Sequence, residues 1–256
     1  MAVWIGTSGW LYRHWRHRLY QGVPTSRWFD RYIEGFDTVE LNVTFYRQPE
    51  PQVFEAWARR VPDGFVFAVK ASRFLTHILR LREPREPVER LLDGARRLGP
   101  HLGPILLQLP PDMPAEPGRL AETLAAFPED VRVTVEPRHR SWFDQEVIAI
   151  LKDRGAALSW ADRRGPRIPL ETTAAWGYVR FHGGLALPRS CYGERALENW
   201  AGRLARAFRP ETDVFAYFNN DHNGCAPRDA VRFAERAREA GLFPTRVPAE
   251  AATPVG

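Results

Sequence analysis

The chain has 256 residues, 44% of them hydrophobic and 12% aromatic, with 36 basic against 31 acidic side chains and a net charge of +5. That is the length of one α/β barrel with ample material for a core, and one domain is expected although the usual length rule also admits two smaller ones. The composition excludes a disordered chain, no apolar run approaches the ~18 residues of a membrane span, and no cleavable leader precedes Val3-Trp4-Ile5-Gly6, so a cytoplasmic protein with no membrane partner is expected.

Short apolar runs, each followed by turn residues and a helical pattern, recur at intervals of roughly 25 to 40 residues. In chain order they predict strands at Val3 to Thr7, Thr38 to Asn42, Phe65 to Lys70, Ile105 to Leu109, Arg132 to Glu136, Ala157 to Ala161, Tyr178 to His182 and Val214 to Asn219. Helical periodicity falls between them at Trp28 to Glu34, Gln52 to Arg60, Pro87 to Leu98, Arg119 to Phe127, Gln145 to Arg154, Ala196 to Phe208 and Arg228 to Ala240. After the sixth strand, Gly165, Pro166 and Pro169 break the pattern and predict a reduced or irregular helix. Near-continuous apolar strands suit a parallel sheet covered on both faces. The expectation is an α/β fold, a single (β/α)8 TIM-type barrel over residues 1–243, with an open doubly wound sheet as the alternative. Residues 244–256, with three prolines, read as a flexible C-terminal tail.

Catalytic groups of a parallel barrel sit at the carboxyl ends of its strands. Every predicted strand here ends in polar residues: Ser8 and Trp10 after the first, Glu40, Asn42 and Tyr46 at the second, Lys70 and His77 at the third, and Gln108 at the fourth. Glu136, Arg138, His139 and Trp142 follow on the fifth, Asp162 on the sixth, Arg180 and His182 on the seventh, and Asn219 and Asn220 on the eighth. Alternation along a strand puts Glu40 with Asn42, Glu136 with Arg138, and Arg180 with His182 on shared faces. A polar strand end by itself more often caps a helix or binds a loop; eight such ends together argue for function, because buried charges cost several kcal/mol unless paired.

Of the 36 cations only Lys70 and Lys152 are lysine. Lys152 lies on a helix surface, whereas Lys70 ends a strand where a compact or titratable ammonium is something arginine does not supply. Cations outnumber carboxylates at this rim, and the sequence pI is about 9.5, which favours an anionic partner. Lys70, Glu136, Asp162 and His182 are the catalytic candidates, the carboxylates and His182 working as acid and base. Ser8, Trp10, Glu40, Asn42, Tyr46, His77, Gln108, Arg138, His139, Trp142, Arg180, Asn219 and Asn220 are the substrate-binding candidates. A divalent metal held by the same carboxylates and His182 is the alternative chemistry, although no close-spaced ligand motif assigns metal residues. No nucleotide fingerprint, P-loop or GxSxG elbow occurs, and Gly183-Gly184 stands where barrels often hold phosphate. Cys191 and Cys225 are too few for a disulfide framework and predict two reduced thiols.

The ordered motifs Ile5-Gly6-Thr7-Ser8-Gly9-Trp10, Val39-Glu40-Leu41-Asn42 with Thr44-Phe45-Tyr46, Phe67-Ala68-Val69-Lys70, Leu107-Gln108-Leu109-Pro110-Pro111, Val135-Glu136-Pro137-Arg138-His139, Tyr178-Val179-Arg180-Phe181-His182-Gly183 and Tyr217-Phe218-Asn219-Asn220-Asp221 resemble the YecE-like family, the domain of unknown function 72. The resemblance spans about residues 3–242 and implies an α/β barrel without an established activity. Function is therefore argued from the residues. The first expectation is a hydrolase, lyase or isomerase acting on an anionic, phosphorylated sugar or nucleotide. The alternatives are a nucleic-acid-binding, repair-nuclease-like barrel and a ligand sensor without turnover.

Overall fold

The structure, a computed structural model, describes residues 2–166, 168–184, 191–209, 211–222 and 224–249. Its strands are β1 (Val3–Thr7), β2 (Thr38–Leu41), β3 (Val66–Lys70), β4 (Leu102–Gln108), β5 (Val133–Glu136), β6 (Ala157–Leu158), β7 (Trp160–Asp162), β8 (Gly177–Phe181) and β9 (Val214–Phe218). The principal helices are α1 (Trp28–Gly35), α2 (Val43–Tyr46), α3 (Pro51–Ala58), α4 (Arg85–Ala95), α5 (Pro117–Ala125), α6 (Gln145–Arg154), α7 (Glu194–Ala207) and α8 (Cys225–Glu239). Each predicted strand is present within three residues of its expected ends, except that the sixth is broken at Ser159 into β6 and β7.

The strands form two sheets, ordered β1-β9-β8-β7 and β2-β3-β4-β5-β6. Pairing is parallel, with Val3 to Thr7 in register with Val214 to Phe218, and Gln108 opposite Glu136. This is an α/β fold with parallel sheets. Between β7 and β8 no described residue is helical. Thr173 takes over there: its hydroxyl accepts from Leu158 N and donates to Ala156 O, both at 2.7 Å, satisfying β6 from a loop.

Local chemistry sets the helix ends. Asp144 caps α6 by accepting from Glu146 N at 3.0 Å, and Gly155 stops it in the left-handed conformation at φ 65°. α3 and α5 each start on a proline, whose missing N–H is unneeded in the first turn.

The chain divides into two compact units: Met1–Glu40, Ala161–Arg164 and Val179–Gly256 form one, and Leu41–Trp160 with Gly165–Tyr178 the other. In the first unit, a Cβ on Gly6 would stand 2.4 Å from Thr38 O, so only glycine lets β1 approach that backbone. Tyr32 closes the same contact, donating to Thr38 O and accepting from Thr7 N. Phe181 stacks on Phe218 at 4.4 Å, with Trp200 and Phe233 around the pair. In the second unit Phe54, Phe67, Leu107, Val135 and Leu151 fill the core with essentially no exposure.

Two sequence expectations are corrected. Residues 244–249 are not a loose tail: Pro244 bridges to Val3, Thr245 accepts from Ile5 N, and Arg246 binds Asp37 through both its backbone N–H and its guanidinium. The prolines of that segment reflect its lack of regular structure, not a lack of partners; residues 250–256 lie outside the described part. Cys191 and Cys225 are not separate thiols but a disulfide, their Cα atoms 4.9 Å apart. Counting cysteines carries no information about two residues that the fold brings together across 34 positions. Closing a loop of that length should stabilise the fold by about 3–4 kcal/mol. Urea denaturation of Cys191→Ser against the oxidised protein is expected to show a deficit of this order, and dithiothreitol should reproduce it in the parent; equal midpoints would mean that the bond does not form in solution.

Candidate functional site

In the first unit the ends of β1, β2 and β8 meet at a buried ion pair. Glu40 and Arg180 are 0% and 1% exposed, and Arg180 Nη2 lies 2.8 Å from Glu40 Oε1. Ser8 Oγ donates to the same oxygen at 2.6 Å, and the Ser8–Glu40 bridge joins the two strand ends. The sequence paired Glu40 with Asn42 and Arg180 with His182; in the structure Arg180 is engaged with Glu40 and leaves almost no surface in solvent.

Asp162, His182 and Asn219, at the ends of β7, β8 and β9, are half-buried. The Asn219 amide donates to His182 Nδ1 at 3.1 Å, which leaves the proton of a neutral ring on Nε2. Asp162 O accepts from His182 N and Gly184 N, and Gly183 N donates to the Tyr192 hydroxyl. All three amides of the 182–184 turn are therefore engaged, and the phosphate-loop expectation for Gly183-Gly184 is not supported. A Cβ on Gly184 would stand 2.8 Å from the Asp162 carboxylate, so this glycine leaves room for it.

Tyr192 is a residue that sequence reasoning missed. Its hydroxyl hydrogen-bonds Asp162 as well as Gly183, and burial, followed by the Asp162 charge, raises its pKa. Its own N–H donates to Asp229, which also accepts from Asn220. Burial pushes the Asp229 carboxyl up to about 6 against the pull of these hydrogen bonds and of Arg228. Asn220, 3% exposed, is thus a structural tie, contrary to its expected substrate role.

In the second unit Lys70, Gln108 and Glu136 end three neighbouring strands. Glu136 has no exposed surface and accepts from Arg138 Nε at 3.1 Å, as their shared face predicts. Lys70 Nζ stands 3.9 Å from the centre of the Phe45 ring, a cation–π contact, and His77 meets the same ring edge-on at 5.0 Å. Burial and then the charges of Lys70, Arg138 and Arg73 hold the His77 imidazole down at about 4. The ring is neutral at pH 7 and stands among cations. Arg73 was not among the expected residues; a charge on the turn after β3 carries no periodic signal.

The other candidates of this unit divide. Tyr46 is 76% exposed on α2, and Asn42 precedes that helix, half-buried. Gln108 is 3% exposed and donates to Leu109 O. His139 caps a short turn by accepting from Ser141 N. Trp142 is fully buried with its Nε1 on Met113 O, and in the first unit Trp10 is 7% exposed against Phe29. Both tryptophans are loop cores and not ligand platforms, a correction to the sequence reading: an indole at a strand end serves either use, and only its neighbours decide. Among the described residues, no group of three or more His, Cys, Asp or Glu is placed to hold a metal ion.

The model of the family described as protein of unknown function DUF72 matches residues 4–252. The chain belongs to the DUF72 family. Curated relatives include UPF0759 protein YecE of Escherichia coli (strain K12), 26% identical over 230 residues that cover 80% of this chain and 81% of that protein. UPF0759 protein YunF of Bacillus subtilis (strain 168) is likewise 26% identical, covering 91% of this chain and 94% of its own. Among solved structures, a DUF72 family protein of Thermotoga maritima MSB8 superposes with a TM-score of 0.79 at 26% identity, over 93% of this chain and all of that one. One from Enterococcus faecalis V583 gives 0.79 at 16% identity, over 92% and 95%, a likeness of fold alone. No helix among the described residues of this DUF72 chain is long and apolar enough to cross a membrane.

Removing Arg180 would leave the Glu40 carboxylate buried without its counter-charge. Arg180→Met in this DUF72 protein should therefore lose about 3–5 kcal/mol in chemical denaturation, and adding Glu40→Leu should restore a large part of it. A single variant as stable as the parent would show that the pair is not formed.

Proposed function

We propose that this DUF72 protein is an acid–base enzyme for a small anionic, phosphorylated substrate, bound at the strand ends of the second unit by Lys70 and Arg138 with His77 beside them. One arrangement carries the reading: Lys70 stands over the Phe45 ring with His77 edge-on to it, and the charges of Lys70, Arg138 and Arg73 add to burial in holding that imidazole down at about 4. Glu136, wholly buried and paired with Arg138, is the carboxylate candidate for proton transfer, and Asp162 and His182 are the acid–base candidates of the first unit. Lys70 over Phe45 presents a compact ammonium on an apolar floor, where its charge is less screened than in water.

The finer architecture, one closed (β/α)8 barrel, belongs to the same proposal and is supported by seven strand-to-helix repeats, with an irregular crossing among the described residues between β7 and β8 in place of the eighth. A cytoplasmic setting belongs to it too, although a reducing compartment opposes the Cys191–Cys225 disulfide: free thiols trapped from rapidly quenched cells would support that setting, and a trapped disulfide would contradict it.

An anion bound here would offset the cations and raise the imidazole. NMR titration of His77 should give a midpoint near 4 in the free protein, moving upward by at least about half a unit in saturating inorganic phosphate. A midpoint near 6.5 in the free protein, or no movement with ligand, contradicts the reading. Because the folded value lies below the unfolded one, the His77 contribution to stability is complete above about pH 6.5 and declines as pH falls toward 4.

Lys70→Ala and Glu136→Gln should both fold. Lys70→Ala should weaken phosphate-ester binding at least about tenfold, ~1.4 kcal/mol, in calorimetry. Glu136→Gln should reduce turnover of any ester the parent converts by at least the same factor.

A further inference from the structure

Beside the Lys70 and His77 cluster the second unit contains a hollow of about 160 Å3, lined in part by Phe45, Tyr46, Arg47, Arg73, Phe74 and Arg90. No carboxylate lines it. Arg90 is paired with Glu86, while neither Arg47 nor Arg73 has an ion pair among the described residues. Tyr46 and Phe74 leave 76% and 43% of their surface in solvent, far more than core packing would leave on rings of this size. They stand on the two turns that directly follow β2 and β3, so their exposure is a consequence of where consecutive strands end.

The hollow and the Lys70–His77 cluster share the Phe45 ring. That ring carries Lys70 on one face, meets His77 edge-on, touches Tyr46 in a T-shaped contact at 5.1 Å, and borders the hollow. The volume falls below the ~300–1,000 Å3 of sites that enclose a drug-sized ligand, which suits a single planar ring. Aromatic faces stack on a flat ring of any kind, and arginine planes add cation–π attraction.

We propose that this hollow is a ring-binding subsite, so that the substrate of the anion site is a phosphate ester carrying a planar heterocycle, a nucleoside phosphate in chemical class, and not a bare sugar phosphate. The proposal rests on the anion-site reading above and extends it. The ring lies against Tyr46 and Phe74, and Arg47 and Arg73 neutralise charge along the path toward Lys70 and Arg138. Ring recognition is by stacking, so it tolerates different bases.

The test is calorimetric titration of the full chain with adenosine 5′-monophosphate and with ribose 5-phosphate at fixed ionic strength. Adenosine 5′-monophosphate should bind at least tenfold more tightly, and the Tyr46→Ala/Phe74→Ala double variant should bring it down to the affinity of the sugar phosphate. Both positions are exposed, so the variant is expected to fold, and circular dichroism checks this. Equal affinities in the parent would overturn the ring subsite and leave the anion site standing. Binding of neither ligand would overturn both. An eight-residue oligothymidylate that binds more than tenfold more tightly than the monophosphate would overturn the single-ring assignment in favour of a surface that tracks a strand.

Discussion

A carboxylate that cannot reach water must be matched by a cation in fixed geometry, and the first unit is arranged around that requirement. Glu40 and Arg180 come from strands separated by 140 positions in sequence, and their pairing is possible only if β2 and β8 end at a common level. Ser8 adds the end of β1 to the same oxygen. A buried pair of this kind adds little net stability over apolar packing, but it penalises any strand register that separates the two charges. Gly6 has a parallel role through sterics, admitting β1 to the Thr38 backbone where any side chain would keep it away.

The second unit handles charge differently. Glu136 is buried and matched by Arg138, and Lys70 and His77 meet at the Phe45 ring. Phe45 gives Lys70 a cation–π partner at 3.9 Å. The depressed His77 has two causes there, burial first and the neighbouring cations second. Lysine here, in a chain whose cations are arginine everywhere else except Lys152, fits a position above a ring at 3.9 Å where a point charge suffices.

The strands were legible in the sequence because strands covered on both faces carry apolar runs too short for helices, and because glycine and proline punctuate them. The absent helix after the sixth strand was legible for the same reason, from Gly165, Pro166 and Pro169. What these local signals do not carry is the identity of partners. Alternation placed Glu136 with Arg138, but nothing in the pattern of Arg180 says that it faces Glu40 instead of a ligand. Trp10 and Trp142 have the same local setting as Tyr46, and only tertiary neighbours make the first two core and leave the third exposed. The amides of Gly183 and Gly184 offered an anion loop in sequence; Tyr192, nine residues beyond Gly183, is what engages one of them.

The disulfide gives the first unit an unusual topology as a polymer. Cys191 and Cys225 close a covalent ring that contains the whole of α7 and β9, with α8 beginning at the closing residue itself. A backbone cut anywhere between those cysteines opens the ring without separating the chain into two molecules. The nicked protein would migrate as one species until reduced, and its two pieces, still tethered at the foot of α8, would refold as partners held at high effective concentration.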